Sequence, residues 1–263
     1  MHTAGQKMTN KIAQYMERGR ELICSLLFPR RCPVCDEILE PEEVKNGIHS
    51  ACKNKLYPVI GAVCMHCGRP FGDNTQRNTN EYCVDCMEKK YHIYSAVQQA
   101  KSLFVYRGHI KSVMYRFKYS NKREYAIFFA EQAVQRYGWW LKQKQIDLIV
   151  PVPMYRRKQK KRGYNQAESF AAELSNRTGI PMRTDLVFRI KDTIPQKGLN
   201  QKERKINVEK AFQMRGNVVQ YSCAMVVDDI YTTGNTAEAV AQQLIKQGIR
   251  QVYLMTVCIG GDM

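Results

Sequence analysis

Four pairs of cysteine or histidine, each with two residues between its members, occupy the first third of this sequence. They are Cys32/Cys35, His49/Cys52, Cys64/Cys67 and Cys83/Cys86. This spacing lets both side chains of a pair enter one tetrahedral shell, as in a zinc knuckle, whereas buried thiols have no reason to recur at it. Four pairs supply eight ligands, enough for two closed sites without an open position. The spacing therefore predicts structural zinc.

The spacing leaves the joining of the pairs open. Sequential pairing gives two consecutive zinc ribbons, while interleaved pairing or a single occupied site is also compatible with the sequence. His49 makes the first set the weaker candidate, because it replaces a thiolate. Metal binding would supply folding energy on the order of 10 kcal/mol per site. The other cysteines, Cys223 and Cys258, lie in apolar strand-like segments, and we interpret them as small buried hydrophobic residues.

Composition excludes several classes of protein. With 263 residues, 44% hydrophobic and 25% charged, the chain is long enough for two ordinary domains and too apolar to be disordered throughout. No apolar stretch approaches the roughly 18 residues of a spanning helix. Charged residues from Lys7 to Glu21 interrupt any signal-peptide core. We therefore expect a cytoplasmic protein, in which the cysteines are not paired as disulfides.

The positive charge is concentrated in the middle of the chain. Of a formal net charge of +17, residues 101–149 carry +7 and residues 150–210 carry +9. An excess confined to one region predicts a localised anionic partner. Nucleic acid, a phosphorylated metabolite and anionic lipid are the candidates, and charge alone does not choose among them.

Apolar strands and amphipathic helices alternate in the second half of the chain. The predicted strands are Ile146–Pro153, Cys223–Asp229 and Ile249–Ile259, and the predicted helices are Asn165–Arg177 and Thr236–Gln247. Such alternation predicts an α/β fold with a parallel sheet covered by helices. In these sheets ligands bind at the carboxyl ends of the strands.

One of those ends has the composition of a sugar-phosphate site. The strand from Cys223 runs into Asp228 and Asp229, and a short Thr/Gly/Asn loop leads to the next helix. Amides at a helix N-terminus can hold a phosphate, which adjacent carboxylates would repel, so the two aspartates should face sugar hydroxyls or a metal. A ribose 5-phosphate satisfies every part. A capped helix start, with Asp as a turn former, is the alternative.

The motifs carry a family resemblance. The segment VVDDIYTTGNT resembles the phosphoribosyl-pyrophosphate (PRPP) motif of type I phosphoribosyltransferases. Together with LLFPRRCPVC, CMHCGRP, VPVPMYRRKQKKRGYNQA and PQKGLNQKERKINVEKAF, it is similar to the competence protein F (ComF/GntX-like) family over roughly residues 22–263. His49 stands where that family usually has Cys. The resemblance implies a type I phosphoribosyltransferase-like parallel sheet with helices on both faces, preceded by a double zinc ribbon. The implied divisions are 1–28 (helix or tail), 29–90 (zinc ribbons) and 91–263.

The resemblance also implies roles for individual residues. Asp228 and Asp229 would be the catalytic pair that holds the ribose 2′- and 3′-hydroxyls. The 5′-phosphate of Mg²⁺-PRPP would be wrapped by Thr232, Thr233, Gly234, Asn235 and Thr236. Pyrophosphate and Mg²⁺ would lie at the basic loop Arg156–Arg162, for which the chosen residues are Arg157, Lys158 and Arg162. A solvated basic face is the alternative for that run.

Other segments are assigned more loosely by the same resemblance. Thr193–Phe212 matches a mobile lid that excludes water, with Gln196, Arg204 and Asn207 on matching positions. Lys118 matches a position near the substrate. Residues 164–166 match a Gly-aromatic-Asn-Gln element (Tyr164, Asn165, Gln166) without an assigned contact. Residues 11–28 have helical spacing, which suits either packing on the zinc ribbons or binding to the inner face of the membrane.

Three functions of different classes follow. The chain is a phosphoribosyltransferase that releases pyrophosphate, or a non-catalytic protein of DNA uptake that binds single-stranded DNA and uses PRPP as a regulatory ligand, or a scaffold at the membrane. In the second, Tyr155 and Tyr164 would stack on bases, and partners would include other uptake proteins such as a translocase. The acceptor is not named by any motif; its contacts are expected from residues 95–120 and the zinc ribbons.

Overall fold

The computed structural model describes residues 29–71, 81–191 and 211–260. The chain divides into two compact units, Met1–Lys53 and Asn54–Met263. In the first unit, two short helices, α1 (Pro41–Val44) and α2 (Ser50–Lys53), accompany the first cysteine cluster. The predicted N-terminal helix at residues 11–28 and the predicted lid residues Gln196, Arg204 and Asn207 lie outside the described residues.

The second unit contains the remaining elements. Before the first strand lie α3 (Val84–Glu88) and α4 (Tyr91–Tyr94). The rest, in chain order, are β1 (Val97–Val105), α5 (Ile110–Tyr119), α6 (Tyr125–Gln143), β2 (Leu148–Pro151), α7 (Arg156–Arg162), α8 (Gln166–Thr178), β3 (Val187–Arg189), β4 (Phe212–Met214), β5 (Cys223–Tyr231), α9 (Asn235–Lys246) and β6 (Gln251–Ile259).

Four strands form a parallel sheet in the order β1-β6-β5-β2, and β3 and β4 form a separate antiparallel pair. Strands covered on both faces are hydrophobic almost throughout, which is why β5 and β6 read as continuous apolar runs. The predicted α/β class and parallel sheet are confirmed. Cys223 and Cys258 are buried in β5 and β6, as expected.

Helices cover both faces of this sheet. On one face, Val240 and Leu244 of α9 share a core cluster with Ala224 and Val226 of β5. Because side chains alternate along a strand, the residues between them point to the other face. There α8 packs against β2, β5 and α6, with Phe170 as a fully buried contact residue. The polar ends of the strands are therefore left as the accessible edge.

The second cysteine cluster belongs to the same compact unit as the sheet. The N–H of Val59 donates to the carbonyl of Leu103 (2.9 Å), and the N–H of Ala100 donates to the carbonyl of His66 (2.7 Å). These bonds occupy the outer edge of β1. The boundary at residue 90 stays a prediction; by its internal contacts the chain divides after Lys53, so the second cysteine cluster is grouped with the sheet.

The basic run Arg156–Arg162 is a helix and not the predicted loop. Arg, Lys and Gln all favour helices, so nothing in the run opposes one. Tyr155 is extended and begins the helix, and Gly163 ends it with a left-handed φ of 82° while its N–H donates to the carbonyl of Gln159 (2.8 Å).

Strand β5 is longer than predicted. It continues to Tyr231, and Asp228 lies in register with Thr256 of β6. The aspartates are thus part of the sheet, and the connecting loop shrinks to Thr232–Gly234 before α9 begins at Asn235. A strand end with polar residues is difficult to separate from a loop by sequence, since the apolar pattern stops first.

The contact between the second cysteine cluster and β1 can be tested at a glycine. Gly68 has a φ of +72°, and a Cβ there would lie 2.7 Å from the carbonyl oxygen of Ala100. Gly61 has a φ of +75° with no atom within 4 Å of that position. Left-handed strain alone costs about 1–2 kcal/mol. We predict that Gly68→Ala lowers the free energy of unfolding in urea by about 2 kcal/mol more than Gly61→Ala does. Equal losses would show that the contact is dispensable.

Candidate functional site

The eight predicted metal ligands form two clusters. One contains Cys32, Cys35, His49 and Cys52, and the other contains Cys64, Cys67, Cys83 and Cys86; within each, the ligand atoms lie within 4.8 Å of one another. The sequential pairing is therefore confirmed, and the interleaved alternative is wrong. Three thiolates with an imidazole, and four thiolates, are both sets that tetrahedral zinc takes up in closed structural sites.

His49 is oriented for ligation. Its Nδ1 lies 3.1 Å from the Sγ of Cys35, and its Nε2 lies 3.0 Å from the carbonyl oxygen of Ile38. A carbonyl only accepts, so Nε2 must carry the proton and Nδ1 keeps a lone pair toward the thiols. Outer hydrogen bonds of this kind fix the tautomer of metal-binding histidines. The replacement of the family's cysteine thus leaves a complete donor set.

The two knuckles of the second cluster are also joined outside the thiols. Arg69 Nη1 lies 2.7 Å from Asp85 Oδ2, and these residues belong to the third and fourth ligand pairs, respectively. The ion pair is partly exposed, so it contributes little to the free energy of folding, and its main effect is to position the two loops. It holds the two loops at a fixed separation.

The predicted aspartate pair lies at the carboxyl end of β5, a central strand of the sheet. The N–H of Asp229 donates to Oδ1 of Asp228 at 2.8 Å. Asp228 borders a small cavity together with the loop that follows, whereas Asp229 contacts Lys118 on α5. Consecutive side chains on a strand point to opposite faces, which explains this division.

Asp229 and Lys118 form an ion pair at the edge of this site. Lys118 Nζ lies 2.9 Å from Asp229 Oδ2, and the side chains are 19% and 18% exposed. Burial lowers the pKa of Lys118, but the carboxylates of Asp229 and Asp228 outweigh it and raise that pKa overall. The expectation that Lys118 lies near the substrate side remains a prediction, supported by this contact.

Asp228 is held in an environment that opposes its charge. Burial, followed by repulsion from Asp229, raises its pKa to about 7, against smaller effects of the Asp229 N–H, Lys118 and Arg189. A carboxyl poised in this way gains from any group that stabilises its ionised form, such as hydroxyl donors or a metal ion. The arrangement is therefore suited to binding a polyhydroxyl ligand with a cation.

The loop after β5 is built for a close approach of its backbone. Gly234 has a φ of +78°, and a Cβ there would lie 2.7 Å from the Tyr231 hydroxyl oxygen. Within the described part of the chain, the amides from Thr233 to Ala237 donate to no protein acceptor. These amides lie at the N-terminus of the twelve-residue helix α9, where the helix dipole adds positive potential. All five predicted loop residues, 232–236, line the cavity beside Asp228.

The three basic residues chosen for pyrophosphate do not come together. Arg157 lines a cavity of about 630 Å³ beside the end of β2. Arg162, at the other end of α7, donates to the Tyr119 hydroxyl (3.2 Å) and stacks on that ring at 4.9 Å. Lys158 is half-buried between them. In this helix Lys158 and Arg162, four residues apart, share one face and Arg157 lies on another, whereas the predicted loop would have let all three converge.

The Tyr164-Asn165-Gln166 element is part of the scaffold. Tyr164 is only 5% exposed, and its hydroxyl donates to the carbonyl of Phe117. Asn165 Nδ2 donates to the carbonyl of Val152 (3.0 Å), while its Oδ1 caps α8. The expectation that Tyr164 stacks on nucleic acid is wrong, because its ring is buried. The element instead holds α5, and with it Lys118, against the sheet.

Three residues of the larger cavity were missed by sequence reasoning. Arg189 and Arg215 reach it from the β3–β4 pair, and Glu168 from the first turn of α8. None belongs to a motif or to the basic run, so only the fold brings them together.

Comparison with known proteins agrees with these features. The double zinc ribbon domain model matches residues 23–87. Competence protein F of Haemophilus influenzae is 28% identical over 226 residues, covering 80% of this chain and 89% of that protein. Competence protein ComFC of Bacillus subtilis is 25% identical, covering 80% and 82%. DNA utilization protein YhgH of Salmonella typhi is 26% identical, covering 81% and 90%.

The resemblance to the competence protein F family is confirmed. Among solved structures, the chain aligns with a purine phosphoribosyltransferase from Pyrococcus horikoshii at 16% identity and a TM-score of 0.34, covering 50% of this chain and 83% of that one. In the described residues, no helix has the length and apolar character needed to cross a membrane.

The raised pKa of Asp228 predicts a pH-dependent effect on stability. The folded protein keeps this proton to a pH of about 7, whereas the unfolded chain releases it near its ordinary value of 3.8, so stability falls as pH rises between the two. We predict that Asp228→Asn unfolds with a free energy on the order of 3 kcal/mol higher than wild type at pH 8, and equal to it below pH 4. Denaturant unfolding at both pH values tests this. A variant no more stable at pH 8 would contradict the assignment.

Proposed function

We propose that this protein binds Mg²⁺-PRPP at the carboxyl end of β5 and transfers its phosphoribosyl group to an acceptor with release of pyrophosphate. The observation that carries the proposal is the side-by-side placement of two partly buried aspartates and a loop of unused backbone amides at the start of α9. Carboxylates suit the hydroxyls of a ribose, and amides suit its 5′-phosphate.

In this proposal the ligand offsets the electrostatic repulsion between the two aspartates. Asp228 and Asp229 accept hydrogen bonds from the 2′- and 3′-hydroxyls, which stabilise the ionised pair. Lys118 then gives up part of its 2.9 Å contact with Asp229. The phosphate lies on the amides of residues 233–236, where Gly234 lets the backbone approach closely.

Departure of pyrophosphate develops negative charge on the leaving oxygens. Arg157, in the cavity beside β2, is the described residue of the proposed set best placed to offset that charge. Mg²⁺, when bound, supplies further neutralisation of the diphosphate. Water would be excluded by the lid predicted from the sequence (Gln196, Arg204 and Asn207), which lies outside the described residues, and zinc at the cysteine clusters would have a structural role.

The PRPP site is tested by removing both charges. We predict that Asp228→Asn with Asp229→Asn abolishes Mg²⁺-PRPP binding, with at least a 100-fold rise in Kd by calorimetry, because two hydroxyl acceptors are weakened and the cation loses its counter-charge. Asp185→Asn is the matched control, since Asp185 is 61% exposed and pairs only with Arg183 among the described ion pairs. Unchanged affinity in the double variant would refute the site.

Transfer is separated from binding by following pyrophosphate. Wild type is incubated with Mg²⁺-PRPP and a panel of bases, amines and oligonucleotides. Release that depends on one acceptor, and is lost in the double aspartate variant, supports an enzyme. Binding of PRPP without release across the panel instead supports a regulatory ligand site.

That second function, a DNA-uptake protein that binds single-stranded DNA with PRPP as regulator, is favoured by an exposed aromatic pair. Tyr115 and Tyr119 are 63% and 58% exposed on α5, with ring centroids 5.1 Å apart, and Arg162 stacks on Tyr119. Most of the +17 charge lies in the surrounding part of the chain. Relatives named for competence and DNA utilization support a link to DNA. A cytoplasmic location, at the inner face of the membrane or away from it, and a translocase as partner stay predictions from the sequence.

The DNA proposal makes a prediction with a control on a neighbouring helix. Replacing Tyr115 and Tyr119 with Ala should weaken oligo-dT binding about 10-fold or more in fluorescence anisotropy, because base stacking contributes about 1–3 kcal/mol per base. Trp139→Ala, which removes a ring that is 74% exposed, should have no effect. Binding should also weaken steeply with salt. Equal losses in both variants, or a flat salt profile, would count against this surface.

A further inference from the structure

The cavity beside the end of β2 is bigger than the proposed reaction requires. Its volume is about 630 Å³, and it is formed by the end of β2, α7, the first turn of α8 and the β3–β4 pair. Cavities of this size hold ligands as large as a nucleotide. Pyrophosphate at Arg157 would fill only one side, so room remains for a second ligand next to the PRPP site.

The charges around the cavity call for an anion. Arg156 and Arg157 line it from α7, and Arg189 and Arg215 line it from the β3–β4 pair, against a single acid, Glu168. Within the described residues, the guanidinium groups of Arg156, Arg157 and Arg215 form no ion pair. Arginines on both walls are suited to a phosphate that is approached from two directions.

The rest of the lining is aromatic and apolar. Phe188 and Tyr155 face the cavity with Met154 and Ile190, and Arg215 stacks on Phe188 at 5.0 Å. Such a surface suits a flat ring. Glu168 is half-buried, and among the described residues its carboxylate accepts no hydrogen bond. A half-buried acceptor of this kind gains from a ligand N–H donor.

We propose that this cavity binds a nucleotide unit, with its phosphate on the arginines, its base against Phe188 and Tyr155, and an N–H of the base donating to Glu168. The inference rests on the proposed function, because it gives the PRPP site a phosphate-bearing co-ligand in place of a free base. The two sites adjoin, since Arg189 lines the cavity and its charge acts on Asp228. Arg157 is assigned to the pyrophosphate of PRPP, and the nucleotide phosphate lies on Arg156 and Arg215, so both ligands are bound at once.

Calorimetry with the zinc-loaded full chain tests the proposal, with dAMP as probe because it lacks the 2′-hydroxyl. We expect dAMP to bind, deoxyadenosine to bind at least 10-fold more weakly, and the analogue without the 6-amino group to bind more weakly than dAMP. Saturating Mg²⁺-PRPP should leave dAMP binding in place. Competition between the two would overturn the proposal, since dAMP would then occupy the PRPP site itself.

Variants locate the ligand in the cavity. Arg215→Gln and Arg156→Gln should each raise the Kd for dAMP about 10-fold, whereas Arg250→Gln, an exposed arginine before β6 at the opposite end of the sheet, should not change it. Glu168→Gln should remove the preference for the 6-amino group. Equal urea midpoints verify that the variants fold. A dAMP affinity that survives both arginine changes would refute the site.

Two further measurements separate this inference from the PRPP proposal. The Asp228→Asn, Asp229→Asn variant should keep dAMP binding, so loss of PRPP with retained dAMP leaves the cavity assignment standing. Inorganic pyrophosphate is the second probe. If pyrophosphate binds the cavity arginines and dAMP does not, the cavity serves the leaving group alone and the inference fails while the PRPP site stands.

Discussion

Two adjacent carboxylates at the end of a buried strand impose the main electrostatic constraint on the second unit. Asp228 is kept from ionising freely by burial and by Asp229. Lys118 offsets the pair, and it is held in place because Tyr164 and Gln166 bind carbonyls at the end of α5. Tyr164 and Gln166, whose sequence resembles a binding element, thus act indirectly, because they position Lys118 opposite the two aspartates.

The second cysteine cluster, a predicted zinc site, is also connected to the helix that follows the two aspartates. Its segment covers the edge of β1, which would otherwise expose unpaired backbone groups. Glu238, in the first turn of α9, accepts hydrogen bonds from Ser95 Oγ (2.5 Å) and Ala96 N–H (2.9 Å), just before β1. The helix that carries the candidate phosphate loop is therefore tied to the chain that leaves the metal cluster. Through this connection, we expect a loss of zinc to weaken ligand binding at the proposed sugar-phosphate site.

Local patterns were enough to predict the parts of the fold that depend on neighbouring residues. The paired spacing identified the eight ligands but left their pairing open. Apolar runs predicted three of the four strands of the sheet, and β1 was missed. The failures have different causes. The helix Arg156–Arg162 follows from local residues that favour helices and from Gly163 at its end, which the loop assignment overlooked. The burial of Tyr164 follows from a contact with Phe117, 47 residues away, which no window of sequence contains. The arginines at 189 and 215 are isolated in sequence and meet Arg157 only because β3 and β4 pair beside β2.

The contrast between local motifs and residues brought together by the fold also bears on how the proposed acceptor would be recognised. A phosphate held by backbone amides and a ribose held by carboxylates need only the strand, the glycine turn and the helix, so they are readable as one continuous motif. The proposed acceptor side would be assembled from single residues on α7, α8 and the β3–β4 pair, each outside the parallel sheet. Here the charged residues among them are four arginines and a single acid, Glu168. A neutral base would leave the net positive charge of the arginines uncompensated, whereas a phosphate-bearing ligand would neutralise it.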